Sequence, residues 1–266
     1  MSEPMTVYYD NAEQRLVYVR RAASADFWDR HWQTDRLRQL VTQGNGFVVN
    51  KTRTYLEPGA RVLEGGCGRA NTVWGLKQAG FEAVGIDFAE KTVEAINAAA
   101  PEIDVRIGDV RDLPFDDASF DGYWSLGVIE HFFEGYQPIQ DEMLRVLKPG
   151  GYLFMTVPAM SPLRRLKARL GRYPAFQPTD ELRADFYQFA LTPERIVRDF
   201  EATGFELLER HGMDGLKGLK DEVALLKPAL QALYDAKGRV AREARRRVNK
   251  MLGPTFHMMF YAMRRL

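Results

Sequence analysis

The chain has 266 residues, with 37 Lys and Arg against 36 Asp and Glu, a formal net charge of +1. So even a balance excludes a global pull toward nucleic acid or membrane, and any charge effect has to be local. The single cysteine, Cys67, excludes an intramolecular disulfide framework and fits a reducing compartment.

No apolar run approaches the roughly 18 residues that a membrane span needs. The opening segment MSEPMTVYYDNAEQ lacks a basic-then-apolar secretory pattern, so a cytoplasmic protein is expected. Residues 1–58 read as a helical lid, with Trp28, Trp32 and Leu40 near one face of FWDRHWQTDRLRQLV. From residue 59 strand and helix signals alternate. RVLEG is a strand, NTVWGLKQAG a helix, EAVGID a strand and EKTVEAINAAA a helix stopped before Pro101. IDVRIGD and FDGYWSL are strands, IQDEMLRVLKPGG a helix and YLFMTVP a strand. TPERIVRDFEATG is a helix with Thr192 as N-cap and Pro193 at its first position. FELLERH and TFHMMFYAM supply the last strands. Such alternation predicts an α/β fold, a parallel sheet with helices on both faces. The whole of 1–266 is expected to form one domain, with 59–158 as its core and helical insertions at 158–190 and 212–253.

The stretch VLEGGCGRANTVWGL carries the first chemical signal. A parallel strand feeding a glycine-rich turn and a helix builds an anion- and nucleotide-binding crevice. The next strand ends in Asp87, where a ribose-binding acid belongs, about 20 residues on. The third strand ends near Asp109, at the same sheet edge. Turn formers, rather than carboxylates, are what packing alone asks of such strand ends.

Together VLEGGCGRA, GID, GDVRDLPF, FDGYWSLGVIEH and LRVLKPGGYLFMTVP resemble the class I S-adenosylmethionine-dependent methyltransferases. That resemblance implies a Rossmann-like, doubly wound, seven-stranded sheet whose last strand is antiparallel. The family's acid-x-Gly-x-Gly-x-Gly loop falls on Glu64, Gly66 and Gly68, with Ala70 replacing the last glycine, a change expected to tighten one helix–strand contact. By the resemblance, Glu64 and the Gly65–Gly68 backbone would hold the methionine end of S-adenosyl-L-methionine. Its ammonium suits an acid that would repel a pyrophosphate. Asp87 would accept from the ribose hydroxyls, Asp109 from the adenine amino group, and Val110 would offer its N–H to the ring. Leu126 would lie along the methionine chain. Phe88 either packs on adenine or ribose or is simply core. Cys67 reads as a small packing residue.

Methyl transfer from a sulfonium needs orientation, plus a base if the nucleophile arrives protonated. Glu130 and His131 follow the fourth strand and are the candidates. His131 is a general base or a structural cap; Glu130 is catalytic or holds the cofactor ammonium. His31 is a weaker candidate, and His211 and His257 read as structural. No metal is expected.

Both insertions should leave the carboxyl edge of the sheet, where ligands bind. Arg164, Arg165, Lys167, Arg169 and Arg172 crowd the first, with Leu163, Leu166 and Leu170 on one helical face. Lys237, Arg239, Arg242, Arg245, Arg246, Arg247 and Lys250 face Glu243 alone in the second. These charges form a solvated face, bind a small anionic or lipid-like methyl acceptor, or dock on an anionic membrane. No nucleic-acid partner is expected. A nicotinamide-dependent oxidoreductase and a non-catalytic cofactor-binding protein are the competing readings. The sequence leaves the acceptor and the oligomeric state open.

Overall fold

A computed structural model describes residues 5–20, 22–32, 34–236 and 238–266. Lys237 lies outside the described residues, as does the side chain of Lys250. The chain opens not with helix but with a hairpin, β1 (Thr6–Asp10) and β2 (Arg15–Val19). The reason is readable afterwards. TVYYD and RLVYV are β-branched and aromatic, and Asp10 closes the turn by accepting from Ala12 and Glu13 N–H.

Helices α1 (Ala25–Trp32), α2 (Leu37–Thr42) and α3 (Gly46–Tyr55) follow. Then come β3 (Arg61–Gly65), α4 (Asn71–Gln78), β4 (Glu82–Asp87), α5 (Glu90–Ala99), β5 (Asp104–Ile107) and β6 (Phe120–Leu126). A single 3-10 turn at Ile129–His131 leads to α6 (Gln137–Val146) and the long β7 (Leu147–Pro158). The first insertion contains α7 (Pro162–Arg169), α8 (Asp180–Ala184) and β8 (Phe186–Ala190). After α9 (Pro193–Ala202) and β9 (Phe205–Met213), the second insertion holds α10 (Gly215–Glu222), α11 (Lys227–Asp235) and α12 (Arg239–Met251), and β10 (Met258–Arg265) ends the chain.

The main sheet has seven strands in the order β5-β4-β3-β6-β7-β10-β9, with β10 antiparallel to both neighbours and the other six parallel. The doubly wound architecture expected from the sequence is therefore present. Strand order reverses between β3 and β6, which opens the crevice at their carboxyl ends.

Both faces of the sheet's centre are covered by apolar side chains. Leu63, Tyr123, Met155 and Phe200 lie in one apolar cluster, and Val62, Trp124, Phe154 and Phe260 in the other. Each such side chain contributes about 1.5–3 kcal/mol of burial. Trp124 stacks on Phe154 at 4.7 Å, and its indole N–H donates to Thr52 Oγ1 at 2.9 Å, which ties α3 to the sheet. Among the described residues, no helix is long and apolar enough to cross a membrane.

The hairpin joins β8 in a second, three-stranded sheet, β1-β2-β8. The first insertion is thus partly strand. Thr192 occupies the N-cap of α9, but its hydroxyl donates to the Gln14 carbonyl at 2.7 Å rather than capping the helix.

Candidate active site

A cavity of about 400 Å³ opens at the carboxyl ends of β3, β4 and β6. Gly66, Gly68, Asp87, Phe88, Asp109, Val110, Leu126 and His131 line it, together with Trp28 and Trp32 from α1 and Phe132 and Phe133 beyond the 3-10 turn. Glu64, Gly65 and Glu130 do not line it.

The glycine loop is a cradle that larger residues would fill. Gly66 has φ +72°, and a Cβ there would meet Val128 Cγ2 at 2.6 Å; Gly68 has φ +50° under the Trp32 indole. Ala70, where the family pattern has glycine, is fully buried and takes the left-handed conformation at φ 55°. The expected consequence, a tighter helix–strand contact, is replaced by a conformational one. A residue with a Cβ pays about 1–2 kcal/mol to sit there.

Asp87 ends β4 with its carboxyl buried. Oδ2 accepts from Gly68 N–H at 2.8 Å and Oδ1 from Ala89 N–H at 2.9 Å, so it shapes the loop from inside. Burial pushes its pKa up, and those amides oppose the rise. Phe88 is 41% exposed and faces the cavity, which excludes the reading that it is core.

Asp109 lies two residues past β5, not at its end, and is already engaged. Arg111 donates to it through Nε and Nη2, the latter at 2.6 Å, and through its own N–H. Those bonds hold the Asp109 carboxyl below its usual range. Val110 beside it is buried against the cavity. Nothing in the sequence singled out Arg111 as the partner of Asp109.

Glu64 differs from expectation. Being next to last in β3, its side chain is directed into the layer between sheet and helix, where burial pushes its pKa up to about 8 against the Thr72 hydroxyl. One carboxyl oxygen, Oε2, has no hydrogen-bond partner among the described residues. Glu64 thus supports the loop from beneath instead of facing the cavity. Glu130 is also buried, with Oε2 unpartnered among the described residues and its pKa pushed up to about 8 by desolvation.

His131 reaches the cavity wall with a defined tautomer. Its Nδ1 lies 2.6 Å from the Tyr187 carbonyl oxygen, which can only accept, so Nδ1 carries the proton. Nε2 is left with a lone pair. Burial lowers the pKa to about 4, against the Tyr187 bond, so the ring is neutral at neutral pH. Trp28 and Tyr187 pack edge-on against it, both at 5.1 Å. Tyr187 is supplied by β8. The Phe132–Phe133 pair did not stand out as a site feature in sequence; an apolar doublet directly after Glu130-His131 was the available signal.

Helix α1 is held over this cavity by a remote cap. Asp29 Oδ1 accepts from both Thr92 N–H and Thr92 Oγ1 at 2.9 Å, in the first turn of α5, whose own N-cap Ala89 has no side-chain acceptor. His31 packs among Phe27, Trp28 and Trp32 and does not line the cavity. Cys67 is buried, which pushes its thiol up and suits packing.

The insertions take another place than expected. No described residue of 158–190 or 212–253 lines the cavity. Arg164 is 1% exposed and turned inward. It pairs with Glu222 Oε1 at 2.8 Å and donates to the Ala159 carbonyl at 2.8 Å and to His257 Nδ1 at 2.9 Å. Arg245 donates to the carbonyls of Leu233, Tyr234 and Ala236 at the end of α11, while Glu243 pairs with Arg246 and Arg247. Much of the basic charge is thereby used within the protein. His257 is buried between Arg164 and Lys217, and its pKa is lowered to about 2 by desolvation and those cations.

These residues fit S-adenosylmethionine. The backbone cradle is open where side chains would clash, the buried Glu64 oxygen beneath it lacks a partner among the described residues, and two acids, Asp87 at the end of β4 and Asp109 just past β5, face the cavity. An acid-lined crevice of this kind suits hydroxyls and amines better than a pyrophosphate.

Residues 63–155 match the family model described as "Methyltransferase domain". Over 174 residues the chain is 30% identical to a probable S-adenosylmethionine-dependent methyltransferase of Mycolicibacterium smegmatis, covering 65% of this chain and 63% of that protein. It is 32% identical over 154 residues to the 27-O-demethylrifamycin SV methyltransferase of Amycolatopsis mediterranei, covering 52% and 56%. The chain thus spans less than two thirds of these relatives' length. The crystal structure of geranyl diphosphate C-methyltransferase from Streptomyces coelicolor shares the fold, at TM-score 0.56 and 15% identity, over 92% of this chain and 100% of that one. Residues 63–155 thus carry the similarity to the methyltransferase domain family, within a doubly wound fold shared with that methyltransferase structure.

Proposed function

We propose that the protein transfers a methyl group from S-adenosyl-L-methionine to a small, apolar acceptor that presents a protonated oxygen, nitrogen or carbon. The observation that carries the reading is the neutral His131 ring, with Nδ1 pinned and Nε2 free, in the wall of an aromatic cavity beside the glycine cradle.

When bound, S-adenosylmethionine supplies a methyl group already activated on a sulfonium. The chain's own share is binding, orientation and the acceptor's proton. Asp87 would hold the ribose hydroxyls, Asp109 and Val110 the adenine, and Gly66, Gly68 and Leu126 the methionine end. Phe88 would pack on the nucleoside. Asp109 can accept from adenine through lone pairs that Arg111 leaves free, since a carboxylate has about four acceptor sites. The acceptor's proton would pass to His131 Nε2 during the transfer. Trp28, Trp32 and Phe132 exclude water and offer stacking surface to the acceptor.

An uncharged, lipid-like acceptor is favoured over an anionic one. Among the described residues, Arg111 is the only lining cation, and it is spent on Asp109. Two of the similar proteins are named for small-molecule acceptors, a demethylrifamycin and geranyl diphosphate; they support a small acceptor with a large apolar part, and the absence of charge rests on the cavity lining alone. The nicotinamide reading has no comparable support.

Two measurements test this. Calorimetry should give saturable S-adenosylmethionine binding, and methyl-labelled cofactor should label an apolar small molecule from a metabolite extract. Binding without any transfer would leave a cofactor-binding protein and refute the catalytic role.

A further inference from the structure

A second cavity, of about 370 Å³, shares no lining residue with the first. It lies between α7, the start of α9, β9 and β10. Its floor is apolar, made by Met160, Phe256 and Met259, and Arg165, Arg169 and Arg210 line it with one carboxylate, Glu194. Arg165 is neutralised by pairing with Glu194. Arg169 and Arg210 are exposed and have no ion pair or side-chain hydrogen bond among the described residues.

The mouth of this cavity is unusual for a solvated face. Leu166 lines it and is 53% exposed; Leu170, one turn further, is 63% exposed. Arg165 and Arg169 form the adjacent i, i+4 row, so an apolar ridge runs beside a basic one on the same short helix. Water gives no reason for two half-bare leucines there. A membrane surface does, because it takes apolar side chains at the acyl boundary and cations at the headgroups. Guanidinium groups also match phosphate bidentately, better than a point charge would.

We infer that this cavity seats the phosphate headgroup of an anionic lipid, with Leu166 and Leu170 entering the bilayer surface, so that the protein docks peripherally on anionic membranes through α7. The docking face is independent of methyl transfer. It is also distinct from α12, whose Arg245, Arg246 and Arg247 are engaged within the protein.

The test is co-sedimentation of the full chain with vesicles of phosphatidylcholine alone or of equal parts phosphatidylcholine and phosphatidylglycerol. Association is expected with the mixed vesicles only, weakening as salt rises. Arg169→Ala with Arg210→Ala should cost about fivefold in partition per arginine. Leu166→Ser with Leu170→Ser should lower partition at low salt as well. All four side chains are exposed, so circular dichroism and melting should stay at the wild-type value in both variants. Equal binding to neutral vesicles, or indifference to both double variants, would overturn the assignment. Thermal stabilisation by inorganic phosphate without vesicle association would mark a free-anion site and overturn it too. So would binding of polyglutamate as tight as vesicle binding and insensitive to the leucine changes, which would indicate an acidic protein partner.

Discussion

The Nδ1 of His131 sits 2.6 Å from the carbonyl oxygen of Tyr187, a residue 56 positions later on a strand of the smaller sheet. That contact decides which nitrogen of the ring can act as a base, and it is made by backbone, so no side-chain substitution at 187 removes it directly.

Replacing His131 by Ala should lower turnover about 10²–10⁴-fold while cofactor affinity stays nearly constant. The pH profile is the sharper test. A base must be neutral, and this ring protonates only as pH falls toward about 4. Its acidic limb should therefore lie near 4, below the ordinary histidine range. A limb between 6 and 7, the range of an unperturbed histidine, would show that the ring is not buried as described.

Asp87→Ala removes a buried carboxylate that organises Gly68 and Ala89 and that is proposed to accept from ribose. Charge-assisted hydrogen bonds of this kind contribute about 1.5–3 kcal/mol each. Calorimetry should show S-adenosylmethionine affinity reduced at least tenfold; unchanged affinity would refute the ribose assignment.

Asp29→Ala should loosen the lid without touching the cavity wall. The carboxylate is a cap supplied from another helix, so its loss should cost about 1–2 kcal/mol of stability. Trp28 and Trp32 on α1 would report the change as altered fluorescence, and cofactor affinity should fall with it. Asp29→Asn, which keeps an acceptor oxygen, should restore most of both.

Arg164→Ala should destabilise the protein by about 3–5 kcal/mol, because it strands the buried Glu222 carboxylate. Lys167 and Tyr173 also bind Glu222 and soften the loss. The acceptor's KM should change little in the folded fraction, since Arg164 faces away from the cavity. Chemical denaturation of this variant, beside Arg165→Ala as a half-buried control, separates the two roles.

Glu64 and Glu130 predict an alkaline weakness. Both folded pKa values are raised, to about 8, above the ordinary carboxyl value. Their neutral forms favour folding fully below the unfolded pKa of 4.5, and that stability is lost as pH rises through 8. Within the window each group costs about 1.4 kcal/mol per pH unit. Glu130→Gln should remove its share, so its melting temperature should fall less than that of the wild type between pH 6 and 9. The depressed pKa of His131 acts at the other end, lowering stability as pH falls from 6.5 toward 4.

The sequence by itself determined the core of this protein. The alternation from RVLEG to YLFMTVP became β3 to β7 with their helices, and the acids at 87 and 109 reached one crevice, because strand period, glycine turns and strand ends are local properties. Even the missed hairpin was locally written, in the alternating TVYYD and RLVYV around Asp10. What only the tertiary structure decided depends on residues far apart in the chain. β2 finds β8 across more than 160 positions, Asp29 caps Thr92 across 63, and Tyr187 fixes the tautomer of His131 across 56. Burial completed the distinction. Glu64 and Arg164 look in sequence like ligand-facing charges, yet packing turned both inward, whereas Phe88, which reads equally well as core, was left facing the cavity. A charged side chain's direction is set by whether a buried partner such as Thr72 or Glu222 is there to receive it, and that partner is supplied by the fold.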